Sequence, residues 1–129
     1  MTVPEFEYVS GSCNIGKGEI RRRQAVALIG LILTITTTFG VLTTDSVKSA
    51  RLAVFIPALI FAIGFIQSRR KFCLAFGLMG TFNFKSLGNL SRVASPEDRR
   101  RDRRTATSIL IQAISLALTI TLIIYLLPL

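Results

Sequence analysis

A chain of 129 residues with 50% hydrophobic residues allows one domain and is too apolar for a body whose whole surface meets water. Its formal charge of +9 comes from 16 Lys and Arg against 7 Asp and Glu, and the cations stand in short clusters between apolar runs. That placement excludes the usual nucleic-acid binder and makes anionic lipid headgroups the expected counter-charge, at about 1 kcal/mol per cation near the surface.

In chain order, residues 1–24 are polar and interrupted by Gly11, Gly16 and Gly18, as expected of a short segment lying on the membrane surface. Glu5, Glu7 and Glu19, with no small-residue cleavage site in the apolar run that follows, speak against a secretory leader. Helix formers begin at Glu19, which suits the positive end of a helix dipole, with Gly18 able to cap. The first span, Ala25 to Thr44, carries no charge and matches the roughly 30 Å hydrocarbon thickness. Its Thr34, Thr36, Thr37, Thr38, Thr43 and Thr44 either bond helix carbonyls and neighbouring helices, at about 0.6 kcal/mol each, or line a path for a small solute.

Asp45 to Arg51 is short enough to force the next helix back antiparallel. Leu52 to Gln67 is the second span, covering about 24 Å, with Arg51 able to lengthen it by snorkelling. Pro57 is expected to bend it, and Ala58, Ala62 and Gly64 offer a small-residue surface for close helix approach. After Arg69, Arg70 and Lys71, the uncharged run Phe72 to Phe84 is too short to cross. Extending the second span through three cations would cost about 2.5 to 3.5 kcal/mol each at the bilayer centre. It reads as an interfacial or re-entrant element, made a poor long helix by Gly77, Gly80 and Asn83, which allow a bend after Phe76 or Met79.

A polar connector leads to Ser95-Pro96-Glu97-Asp98, a serine N-cap followed by a first-turn proline and two acids. Nothing breaks the helix from there to Leu127. It begins as a basic collar, with Glu97 and Arg101 spaced to pair, and becomes the third span at Ala106. Ser108, Gln112, Ser115 and Thr119 share one face of that span and are expected to turn inward, as helix packing or as a pore lining.

The expected fold is therefore an all-α integral membrane protein. It comprises a surface segment (1–24), a transmembrane hairpin (25–67, spans 25–44 and 52–67), a basic loop (68–105) holding the interfacial element 72–84, and a third transmembrane helix (106–129) continuing the basic helix. With the N-terminus cytoplasmic, all the cations except Lys48 and Arg51 lie inside, so the C-terminus is expected outside. The headgroup contacts would be Arg21, Arg22, Arg23, Arg69, Arg70, Lys71, Arg99, Arg100, Arg101, Arg103 and Arg104. Gly16-Lys17-Gly18 before a helix start offers backbone N–H groups to an anion such as a lipid phosphate.

The hairpin brings Cys13 and Cys73 to the same cationic border, where nearby charges would lower a thiol's pKa. They form either a reactive thiol pair or a buried residue and an incidental one. With no histidine, the common zinc patterns are unavailable and no nucleophile and base pair can be assembled, so no metal, cofactor or catalytic residue is expected.

Cys13-Asn14-Ile15-Gly16, a basic start to the first span, and Ala62-Ile63-Gly64-Phe65 leading to Phe72-Cys73 and Gly77-Leu78-Met79-Gly80 resemble the small bacterial inner-membrane hairpin found alone or beside rhodanese domains. The resemblance covers residues 13–84. This chain lacks the rhodanese domain and the proline often found after the second cysteine, and it adds a third span. The resemblance implies a dimer-forming hairpin concerned with sulfur handling or small-anion export. The residues themselves favour an accessory or scaffold subunit, as a homo-oligomer or beside other membrane subunits. A channel or exporter for a small anion or sulfur species and a thiol redox or sulfur-transfer protein are the alternatives.

Overall fold

The computed structural model describes residues 8–44, 46–83 and 91–128. The chain is mostly helical: α1 (Lys17–Thr43), a 3-10 helix (Lys48–Val54) running into α2 (Phe55–Arg70), a short α3 (Leu74–Met79), and α4 (Pro96–Leu126). Between α3 and α4 the strands β1 (Thr81–Phe82) and β2 (Ser91–Arg92) pair antiparallel, Thr81 opposite Arg92 and Phe82 opposite Ser91. Three helices, Lys17–Thr43, Lys48–Arg70 and Pro96–Leu126, are long and apolar enough to cross a membrane. This is a membrane protein.

The start of α4 follows from its sequence. Ser95 Oγ accepts the Asp98 N–H at 3.4 Å, and Pro96 occupies the first turn, where its missing N–H costs no helical bond. The start of α1 has no side-chain cap. It begins at Lys17, ahead of the helix-forming run at Glu19, because Gly16 is already fixed: its N–H donates to Asn83 O at 2.7 Å. Pro57 falls in the first turn of α2, just past the 3-10 helix, so its missing N–H lies close to the change of helix type.

Helix α2 is the middle of the bundle, with α1 and α4 packed antiparallel on it and scarcely on each other. Lipid supplies no hydrophobic drive for this packing, so close backbone approach has to hold it. A Cβ on Gly30 would run into the Phe61 backbone nitrogen, and one on Gly64 would lie 2.7 Å from the Ala27 nitrogen. Gly30, Ala27 and Thr34 of α1 are buried in this contact, whereas most of that helix is exposed. On the other side Val54 and Ala58 meet Ala117 and Ile124, and Phe72 meets Ala106 and Ile109. Ala58, Ala62 and Gly64 are thus used within the chain.

Phe72 to Asn83 forms no third crossing of its own. It folds as α3 and β1 against α4, with Gly77 so close that a Cβ would lie 2.7 Å from the Phe72 ring and 2.9 Å from Asp102 O. At the far end of the bundle Arg51 does not reach out to lengthen its span. It is buried, and its Nη1 donates to the carbonyls of Ile124, Tyr125 and Leu127 at 3.1, 3.3 and 2.8 Å, capping the C-terminal end of α4, where Ile124 O also accepts the Leu127 N–H. The Lys48 ammonium sits 4.9 Å from the Tyr125 ring centroid beside it.

Candidate functional site

The polar chemistry of the protein gathers where the basic ends of α1, α2 and α4 meet. Gln67 closes α2: its carbonyl accepts Phe72 N–H at 3.1 Å and its side-chain Oε1 accepts Leu74 N–H at 2.9 Å, while Lys71 turns the chain with φ at 55°. The segment before α1 then threads through this turn. Asn14, fully buried, takes the Cys73 N–H on Oδ1 at 2.7 Å and donates Nδ2 to Cys73 O at 3.2 Å. Its backbone carbonyl accepts Asn83 N–H at 2.9 Å, and Asn83 Nδ2 donates to Glu19 Oε1 at 3.3 Å. Glu19, 1% exposed, is held on its other oxygen by Arg23, whose second nitrogen donates to Cys73 Sγ at 2.9 Å and whose guanidinium covers the Phe76 ring. A buried carboxylate needs such partners to stay charged.

A second clasp joins residues 8–13 to α4. Asp102, with no exposure, accepts Tyr8 OH at 2.8 Å and Gly11 N–H at 2.7 Å, and Thr105 OH donates to Gly11 O at 2.6 Å. Gly11 has φ at +72° and leaves only 3.3 Å between a would-be Cβ and Thr105 Oγ1, so the turn selects glycine. The Tyr8 ring stacks on Phe82 at 4.7 Å. Burial, then the bond and charge of Asp102, push the Tyr8 hydroxyl well above its ordinary value. The stretch from Tyr8 to Gly16 is a docked element, where the glycines had suggested a loose surface segment.

Of the cations expected at headgroups, Arg21, Arg22, Arg69, Arg70, Lys71, Arg100, Arg101, Arg103 and Arg104 are exposed. Two serve the fold as well: Arg23 as above, and Arg99, which donates to Val93 O at 3.1 Å and lies against Gly80. Glu97 and Arg101 do not pair; among the described residues the ion pairs are those of Glu19 with Arg22 and Arg23. In Gly16-Lys17-Gly18 the Gly16 N–H is taken by Asn83 O, while Lys17 and Gly18 are exposed.

Cys13 and Cys73 lie on adjoining segments, yet their sulfurs have different partners: Cys13 Sγ reaches Ile15 O at 3.7 Å, and Cys73 Sγ, on a residue 2% exposed, takes the Arg23 bond. Burial raises the Cys13 thiol above its ordinary value, outweighing the downward pull of the Ile15 contact and the Lys71 charge. The direction is opposite to that expected from neighbouring cations alone. Among the described residues no group of His, Cys, Asp and Glu could hold a metal ion.

The polar stripe of α4 is also turned the other way from expectation. The helix buries Asp102, Ala106, Ile109, Ala113, Ala117, Thr121 and Ile124 against its neighbours. At 100° per residue, Ser108, Gln112, Ser115 and Thr119 fall on roughly the opposite face, and the last three are exposed. Gln112 Nε2 donates to Ser108 Oγ at 3.0 Å, and Thr119 OH to Ser115 O at 2.8 Å. In α1, Thr34, Thr36 and Thr43, with Thr44 just beyond, bond to the carbonyl four residues back.

Asn14, Glu19, Asn83 and Asp102, the buried polar members of both clasps, were not singled out as site residues by sequence reasoning. Asp102 had a signal: stepping back four from Ala106 along the alanine-marked face lands on it. A groove of about 470 Å³ opens between α1 and α4, with Arg22 and Arg23 at one end and Val26, Ile63 and Leu110 among its walls. Comparison with known proteins found no matching family model, no matching curated protein and no matching solved structure.

Proposed function

We propose that this protein is an accessory or scaffold subunit of a membrane assembly, joined to its neighbours through the outward face of α4. The observation that carries the reading is the stripe Ser108, Gln112, Ser115 and Thr119, which points away from the bundle although the inner face of the same helix is fully packed. Polar side chains directed at hydrocarbon gain from a partner helix, at about 0.6 kcal/mol per bond. In this reading the clasps at the basic end serve as a rigid base. That end faces the cytoplasm at the inner membrane, and the α4 C-terminus lies outside.

A channel through several copies is less well supported, because Thr34 is buried inside the bundle and lines no path. A sulfur-transfer role, including the one implied by the rhodanese-associated hairpin, would need Cys73, which is enclosed.

A photoreactive side chain placed at Ser115 tests the reading in native membranes. Cross-linking to a second copy or to another membrane protein is expected there, and lipid adducts alone at Ile114, an exposed position about 100° round the same helix. Lipid adducts alone at Ser115 would overturn it.

A further inference from the structure

We propose that the groove between α1 and α4 binds one anionic phospholipid, with its phosphodiester at Arg22 and Arg23 and one acyl chain laid over Ile63 of α2. Because α1 and α4 each pack on α2 and scarcely on each other, a slot remains above α2 that is open to the bilayer. Val26 of α1, Ile63 of α2, Leu110 of α4 and Leu74, Ala75 and Phe76 of α3 line it, with Gln67 and Cys73 beside the arginines, so its apolar part suits hydrocarbon and its polar part lies at one end. Its mouth is cationic. Arg22 has a side chain 61% exposed and lies 4.0 Å from Glu19, and Arg23 is fixed by Glu19, Cys73 Sγ and the Phe76 ring. Two guanidinium groups share one carboxylate there, which leaves a net positive charge for the single negative charge of a phosphodiester.

The order along the helices matches a lipid. Val26 lies about 6 Å deeper than Arg22 at 1.5 Å per residue, and Ile63 the same distance deeper than Gln67. A phosphate at the arginines would therefore send its chain directly between the apolar walls. Diffuse attraction to a basic border needs no groove, whereas here the cations stand at the head of one. A free phosphate would leave the walls unused, which makes the lipid the better occupant.

The chain contains no tryptophan, so Leu110→Trp places a single fluorophore at the groove wall and Leu118→Trp one on lipid-facing α4 well away from it. Each variant is reconstituted into vesicles containing phosphatidylglycerol or phosphatidylcholine brominated on the chains. At Leu110→Trp the anionic lipid is expected to quench with an apparent affinity at least about fivefold higher than the zwitterionic one, from a gain of that size per cation. At Leu118→Trp the ratio should be about one. Adding Arg22→Gln, at an exposed position whose loss leaves Arg23 on Glu19, should lower the preference at Leu110→Trp by about fivefold. Equal quenching by the two lipids at Leu110→Trp, a preference insensitive to Arg22→Gln, or displacement of the signal by inorganic phosphate would overturn the assignment. These outcomes are independent of what cross-links at Ser115.

Discussion

Asp102 shows how a single residue reorganises the basic end. It sits inside a run of arginines that would otherwise be a solvated collar, yet its carboxylate is buried and bonded to Tyr8 and Gly11, tying the chain's opening segment to its last helix. The clasp has a pH signature. Tyr8 and Cys13 both have raised pKa values in the folded protein, from ordinary values of 10.0 and 9.0, because burial disfavours their charged forms. Groups shifted this way contribute their full stabilisation below the ordinary value and lose it as pH rises toward the folded one. Because amide exchange is itself base-catalysed, the readout is the protection of the Gly11 amide relative to an unstructured one, which should hold to pH 8 and fall above about pH 9 to 10. Tyr8→Phe should weaken the clasp by about 1 kcal/mol at neutral pH and remove most of the upper part of that dependence. Protection with the same pH dependence in Tyr8→Phe would show that the phenol does not carry the effect.

At the scale of elements, the bundle depends on how closely α1 approaches α2. Gly30 touches the Phe61 backbone, so a larger side chain forces the helices apart, whereas Gly40 on the same helix has nothing within 4 Å of a would-be Cβ. Gly30→Val should cost on the order of 3 kcal/mol, read as a lower unfolding midpoint in detergent, and Gly40→Val should cost far less. Similar losses at both positions would mean that the α1–α2 contact does not set stability. The three long helices were legible from charge-free length, and the start of α4 from Ser95, Pro96, Glu97 and Asp98. Which face of each helix is buried was not. In water an apolar stripe marks the inside; in lipid both faces are apolar, and side-chain size carries the information instead. Ala106, Ala113 and Ala117 mark the inner face of α4, and the polar stripe lies opposite them because small side chains, not polar ones, allow close helix approach. The Arg51 cap on α4 and the Asn14 clasp join residues far apart in sequence, which no local pattern reports.

For the whole molecule, the two ends of the bundle are built differently. One end carries the threaded clasps, β1 with β2 and nearly all the cations; the other is closed by Arg51 and Lys48 on the last turn of α4. Such asymmetry is in keeping with the single orientation and the α4 partner face proposed above. The arrangement of three crossings underlies both the proposed partner face and the lipid groove. Its most direct test is the location of reporters fused before Met1 and after Leu129 in the cell that makes the protein. Opposite sides of the membrane, with Met1 cytoplasmic, is the predicted result; both reporters on one side would contradict the account.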